Sequence, residues 1–421
     1  MPNFSSLRAQ FPALQLRDAA GRPAVYFDGP GGTQVPQHVL DAVTDYLVKA
    51  NSNTHGAFST SQKTDEVLHT AREAMADFFN AEAPQQIAFG ANMTTLTFHL
   101  SRSIGRTLQP GDEIVLTRLD HDANVSPWLA LEERGVKIRF LDFHPEDCTL
   151  HYEALGDLLS AKTKLVAVGY ASNAVGTIND VRRIVQMAQH VGALTYIDAV
   201  HYAPHGPIDV QALDCDFLVC SAYKFFGPHV GVLYGKQAVL DRLQAYKVRP
   251  QDGQPPYKFE TGTLNHEGIA GTAAAIDYLA EVGKTCGAEF AGRYKNFSGR
   301  RLHLKQAMTA IQNHERHFSE KLLAGIRAIP GAQIFGIIDP ARLLERTPTV
   351  SFRMQQYTPA VIAERLGREN IYVWDGNFYA LEVTTRLGVE GRGGIVRIGL
   401  VHYNTDEEID RCVRVLEEMA R

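Results

Sequence analysis

The sequence predicts an α/β protein with a large domain on a seven-stranded, mostly parallel sheet and a smaller C-terminal α/β domain. Three observations carry this. Short apolar runs alternate with helix-period segments from about residue 37 to 235. Most of those runs read as strands buried on both faces, the mark of a parallel sheet covered by helices. After Tyr257 the pattern changes to long helical stretches followed by new strand candidates. The expected division is an N-terminal segment 1–24 packing on the small domain, a large domain 25–284 and a small domain 285–421. No repeat, low-complexity tract or flexible linker separates them, so tight packing between domains is expected.

Val39, Leu40, Val43 and Leu47 keep helical spacing, as do Val67, Leu68, Ala71, Met75 and Phe78. The strand candidates are QIAFG (86–90), DEIVLT (112–117), KIRFLDF (137–143), KLVAVGYA (164–171), LTYIDAV (194–200), DFLVCS (216–221) and GVLYG (231–235). The nine residues Ala222–Val230 are too few for a helical crossover, so GVLYG is expected antiparallel to DFLVCS. A long helical region follows, through EGIAGTAAAIDYLAEVG (267–283) and the charged stretch 300–329. Strands are then expected at TVSFRM (349–354), NIYVWDG (370–376) and GIVRIGL (394–400), and a last helix at 406–421.

Of 421 residues, 45% are hydrophobic, enough for a full core, and 42 basic against 47 acidic residues give a net charge of −5. Neither sign forms a long run, so nucleic acid and membrane surfaces are not the expected partners. No apolar stretch is long enough to span a bilayer and the start does not read as a signal peptide, which points to the cytoplasm. Five scattered cysteines without metal spacing read as reduced structural thiols.

Ligands of doubly wound sheets bind beyond the carboxyl ends of the strands. Asn92, Met93 and Thr94 follow QIAFG and open a helix, where amides and a hydroxyl can hold phosphate, although a Thr there is often only a cap. His121 follows DEIVLT, Asn173 follows KLVAVGYA and Asp198 closes LTYID. Ser221, Tyr223 and Lys224 follow DFLVC. A lone His or Asp in such a place is usually structural or a cap. Lys224 is harder to dismiss, because a lysine desolvated in a pocket loses basicity and becomes a nucleophile. No metal site is expected: Pro204 interrupts any helix that would pair His201 with His205. VGKT (282–285) lacks the glycine a phosphate loop needs, Tyr278 standing there. DGPGGTQVP (28–36) reads as a close approach to a ligand or as a turn.

Together, DHDAN (120–124), SNAVGT (172–177), IDAVHYAPH (197–205), DVQALDCDF (209–217), SAYKFFGP (221–228) and FETGT (259–263) resemble the cysteine desulfurase-like, selenocysteine lyase-like branch of class V aminotransferases. These are fold-type I enzymes that use pyridoxal 5′-phosphate, and the likeness runs in register from about residue 25 to the C-terminus.

The resemblance implies that Lys224 holds the cofactor covalently, that Asp198 pairs with its pyridine nitrogen, and that His121 stacks on its ring. It places Asn173 and His201 near the ring's phenolic oxygen. Asn92, Met93, Thr94, Ser221 and Tyr223 would form the phosphate cup, with Thr263 reaching it from the partner of a homodimer with shared sites. Arg397 would bind the carboxylate of an amino-acid substrate, with Asn377 and His55 in contact with that substrate. His201 stands where relatives often carry glutamine, and Tyr223 where they often carry histidine. The desulfurase loop reads DGNFYAL (375–381), with Tyr379 at the position of the sulfur-accepting cysteine. A lyase or desulfurase-like reaction on a cysteine derivative is therefore expected first, then amino-acid transamination or epimerisation, and a non-catalytic cofactor-binding regulator as a different class.

Overall fold

A computed structural model describes residues 4–421. Its strands are β1 (Val25–Tyr26), β2 (Ile87–Gly90), β3 (Glu113–Thr117), β4 (Lys137–Leu141), β5 (Thr163–Gly169), β6 (Leu194–Asp198), β7 (Phe217–Ser221) and β8 (Gly231–Gly235). In the C-terminal third come β9 (Ala332–Phe335), β10 (Thr349–Met354), β11 (Ile371–Tyr372), β12 (Trp374–Gly376) and β13 (Ile395–Gly399).

The central sheet has seven strands in the order β2-β8-β7-β6-β5-β3-β4. β8 runs antiparallel to both β7 and β2, and the pairs from β7 to β4 are parallel. The short join from β7 to β8 thus has the outcome its length dictates. β5 through β8 are almost wholly buried, whereas β4 is only partly covered because it forms the sheet edge. Two apolar cores cover the two faces of this sheet, and a third fills the C-terminal region around β10, β13 and the helix Asp406–Ala420.

The smaller sheet has the order β12-β13-β10-β9, all antiparallel. NIYVWDG does not form one strand. It splits into β11, which pairs in parallel with β1, and β12, which pairs with β13.

The N-terminal segment reaches further than the small domain. Arg8 pairs with Glu408 at 2.8 Å, but Phe11 packs edge-on against Tyr403, Tyr278 and Phe226 alike. The first three residues of that segment lie outside the described residues. Among the described residues, no helix is long and apolar enough to cross a membrane.

FETGT is fixed by a buried ion pair. Arg72, on the helix Ser59–Phe79, grips Glu260 with two bonds of 2.6 and 2.8 Å, and Glu260 also accepts the Phe89 N–H of β2 at 2.8 Å. Removing one partner of such a pair leaves the other charge buried and uncompensated, at a cost of about 3–5 kcal/mol. Glu260→Gln is therefore expected to lower the urea midpoint markedly; an unchanged midpoint would show the pair to be dispensable.

Candidate active site

The carboxyl ends of β2, β3, β5, β6 and β7 meet at one cavity of about 1370 Å³. Its lining includes Asn92, Met93, Thr94, His121, Asn173, Asp198, His201, Ser221, Tyr223 and Lys224 from the large sheet. Asn377, Tyr379 and Arg397 enter from the C-terminal region.

Lys224 lies in a single helical turn just after β7, and its Nζ donates to the Pro30 carbonyl in the glycine-rich segment. Burial, and secondarily the Arg397 guanidinium, push its pKa down to about 7, against the opposing pull of Asp198 and Asp28. An ordinary lysine amine stays protonated to pH ~10. In cofactor-free protein, modification of Lys224 by an amine-specific reagent should thus climb about tenfold per pH unit below 7 and level off above it. A rate still climbing past pH ~9 would contradict this.

Asp198 ends β6 opposite Gly169, and its Oδ1 accepts the Val200 N–H at 2.9 Å. Burial raises it to about 6 although Lys224 favours the charge. A second carboxylate, Asp120, is buried beside it and lifted to about 7 by burial, with Thr117 and Asn124 donating to its two oxygens. His121 is pushed down to about 4 by burial and then by Lys224 and Arg397, so it is a neutral imidazole near pH 7. Its Nδ1 accepts the Ala123 N–H at 3.0 Å.

At the head of the helix Met93–Gly105, Asn92 caps the Thr95 N–H at 2.9 Å and the Met93 N–H donates to Ser221 Oγ at 3.0 Å. This cup is narrow because Gly231 of β8 lies against the Asn92 backbone; a Cβ there would sit 2.4 Å from the Asn92 carbonyl carbon. His201 is buried, its Nε2 held 3.1 Å from both the Thr347 and Thr349 hydroxyls, and burial drives its pKa well below the ordinary value.

Arg397 sits in the middle of β13, with Nη1 donating to the Asn173 carbonyl at 3.0 Å and the guanidinium 4.1 Å above the Phe378 ring. Its Nε is buried without a partner. Burial lowers its pKa to about 9. The adjoining loop is strained, with Phe378 and Tyr379 both at positive φ of 56° and 58°. It is held by Asn173 Nδ2 on the Phe378 carbonyl at 2.9 Å and by the Asp122 N–H on the Tyr379 carbonyl at 2.6 Å. The Tyr379 ring stacks on His121 at 5.6 Å and is 75% exposed.

The Aminotransferase class-V family pattern matches residues 25–295 and 299–412. The cysteine desulfurase of Serratia proteamaculans is 31% identical over 99% of this chain and 98% of its own length. Aminotransferase-like protein FGM3 of Gibberella zeae is 32% identical over 99% and 98%. A cysteine desulfurase structure from Thermococcus onnurineus superposes with a TM-score of 0.82 at 26% identity, covering 94% of each chain. The chain belongs to the class V aminotransferases.

It falls in their cysteine desulfurase-like branch, and is an enzyme of that pyridoxal phosphate-dependent family acting on an amino acid. Two residues that the resemblance assigned to the site do not line this class V cavity. His55 points to solvent, its backbone N–H on Asp65 at 3.2 Å, and Thr263, which the resemblance assigns to the partner's cup rather than to its own, is exposed at the end of FETGT.

Conversely, Asp28, Asp120 and His229 went unassigned in the sequence. Asp28 faces Arg397 and Lys224, is raised by burial to about 6, and has a buried oxygen without a partner. His229 stacks on Tyr223 at 4.8 Å. DHDAN and DGPGG drew attention to the first two segments, but no local pattern tells a buried carboxylate from a turn cap.

Proposed function

We propose that this enzyme holds pyridoxal 5′-phosphate on Lys224 and breaks a C–S or C–Se bond in a cysteine-derived amino acid without using a protein thiol. The observation that carries the reading is a convergence: Lys224, Asp198 and Arg397 share one cavity, whereas none of the five cysteines lines it. All five are buried and unbridged, and burial raises Cys148, Cys215 and Cys412 to about 12. Tyr379 stands on the loop instead.

The residues present fit the cofactor. A carboxylate at Asp198 suits a pyridinium, the Asn92–Thr94 helix start with Ser221 and Tyr223 suits a phosphate, and the unpartnered Asn173 Oδ1 and the cavity-lining His201 suit a ring hydroxyl. When bound, the cofactor supplies a sink for the electron pair left at the substrate Cα. Lys224, with its lowered pKa, is the base available to take and return the Cα proton. Arg397 would orient the substrate through its carboxylate, and His121, neutral near pH 7, would pack against the cofactor ring when it is bound rather than act as an acid.

Phenol chemistry supports elimination over sulfur relay, because a tyrosine cannot carry a persulfide. Tyr379→Phe is expected to keep the cofactor spectrum and lower turnover about tenfold, the worth of one hydrogen bond to the leaving group. Unchanged turnover would return Tyr379 to packing. The same loop and the aminotransferase-like fungal relative favour transamination as the second reading.

A homodimer completing the phosphate cup with Thr263 is supported by exposed apolar side chains at Leu40, Leu47, Val48 and Phe58, and at Tyr246, Val248 and Tyr257 ahead of FETGT. A stable monomer with full cofactor affinity would contradict it. Five unbridged cysteines support a reducing compartment such as the cytoplasm.

Screening amino acids by visible absorbance, with products identified by mass spectrometry, tests the function. A cysteine conjugate or selenocysteine should shift the spectrum and release, respectively, a thiol or hydrogen selenide. Release of alanine with sulfur left on the protein would contradict it.

A further inference from the structure

Away from the cavity, the segment after β4 doubles back as a tight hairpin. Phe143 and Leu150 pair antiparallel, the His144 N–H donates to the Thr149 carbonyl at 2.8 Å, and the His151 N–H to the Asp142 carbonyl at 3.0 Å. Phe143 and Leu150 are buried in the large core. Side chains alternate across a β-ladder, so the next residue on each strand, His144 and His151, is turned away from that core. The hairpin is anchored at both ends: Arg386 grips Asp142 at 2.9 Å and Arg342 grips Asp147 at 2.7 Å.

The two imidazoles lie with ring centroids 3.8 Å apart, tilted by 50°. Glu153 closes over them, its Oε1 2.8 Å from His151 Nδ1 and 3.6 Å from His144 Nε2. One ligand atom from each of the three residues lies within 4.8 Å of the others. Tetrahedral coordination with bonds of ~2.0–2.1 Å puts ligand atoms ~3.3 Å apart, a separation these three reach by small side-chain rotations. A single divalent cation satisfies all three ligands at once.

We propose that His144, His151 and Glu153 form a surface binding site for a divalent late first-row metal ion such as zinc, with water in the remaining position. Two imidazoles and a carboxylate select this class of ion over magnesium or calcium, which prefer all-oxygen sets. The site is independent of the reaction proposed above. Its effect is to tie the two arms of the hairpin and, through Asp142 and Arg386, the helix Leu381–Arg386 that follows the Tyr379 loop.

The test is titration of the holoenzyme with zinc chloride by calorimetry, comparing wild type with the double variant His144→Ala/His151→Ala and with Glu153→Gln. All three side chains are partly exposed, at 40%, 26% and 67%, so the variants should fold, which an unchanged cofactor spectrum checks. Zinc held by other histidines or by the cofactor remains in every protein and cancels. The expected result is one additional equivalent per chain in wild type, weakened by at least about 100-fold in the double variant and about tenfold in Glu153→Gln. Equal stoichiometry and affinity in wild type and double variant, or a loss under tenfold in the double variant, would overturn the site.

Discussion

Lys224→Ala is expected to abolish turnover, lowering kcat/KM by about 10⁴-fold or more. Two contributions are lost together: the covalent hold on the cofactor and the base at Cα, the second alone worth ~10²–10⁴. The folded protein should survive. Lys224 is buried with a depressed pKa, so it is held in an unfavourable environment rather than stabilising the fold. The variant should therefore melt at or above the wild-type temperature without cofactor, while losing the visible absorbance of bound cofactor after dialysis. Turnover within about tenfold of wild type would remove Lys224 from the chemistry.

Arg397→Lys carries the next largest effect. The guanidinium already spends Nη1 on the Asn173 carbonyl, and its buried, unpartnered Nε remains free to bind a carboxylate. A lysine keeps a point charge but not the planar fork. Burial has already brought Arg397 down to about 9 and Lys224 to about 7, so a second buried amine here would carry only part of its charge near pH 7. The geometry of the anchor is then lost and its charge weakened. Hydrogen bonds to charged groups contribute ~1.5–3 kcal/mol, so KM for the amino acid should rise about 10- to 100-fold with the cofactor spectrum intact. Unchanged KM would place the substrate carboxylate elsewhere.

Much of this architecture is visible in the sequence for a physical reason. Strands covered on both faces, such as β5 and β7, must be apolar at nearly every position, and the site residues must then follow their carboxyl ends. β9 escaped notice because it is a half-exposed edge with little apolar signal. The break at Val373 depends on two different partners, β1 and β13, and pairing across the chain leaves no local mark.

The same limit hid Asp28 and Asp120. An aspartate beside a glycine turn or before a histidine reads as a cap until tertiary packing buries it. The Asn173 amide nitrogen holds the Phe378 carbonyl of the strained loop, a contact that only the three-dimensional arrangement reveals, while its Oδ1 stays unpartnered.

Borohydride reduction of the holoenzyme, followed by peptide mapping, tests most directly whether the chemistry is organised around Lys224. The pyridoxyl group should be found on the peptide containing Lys224 and on no other. A label on another lysine, or a protein that retains no pyridoxyl group after reduction, would contradict the site and the function drawn from it.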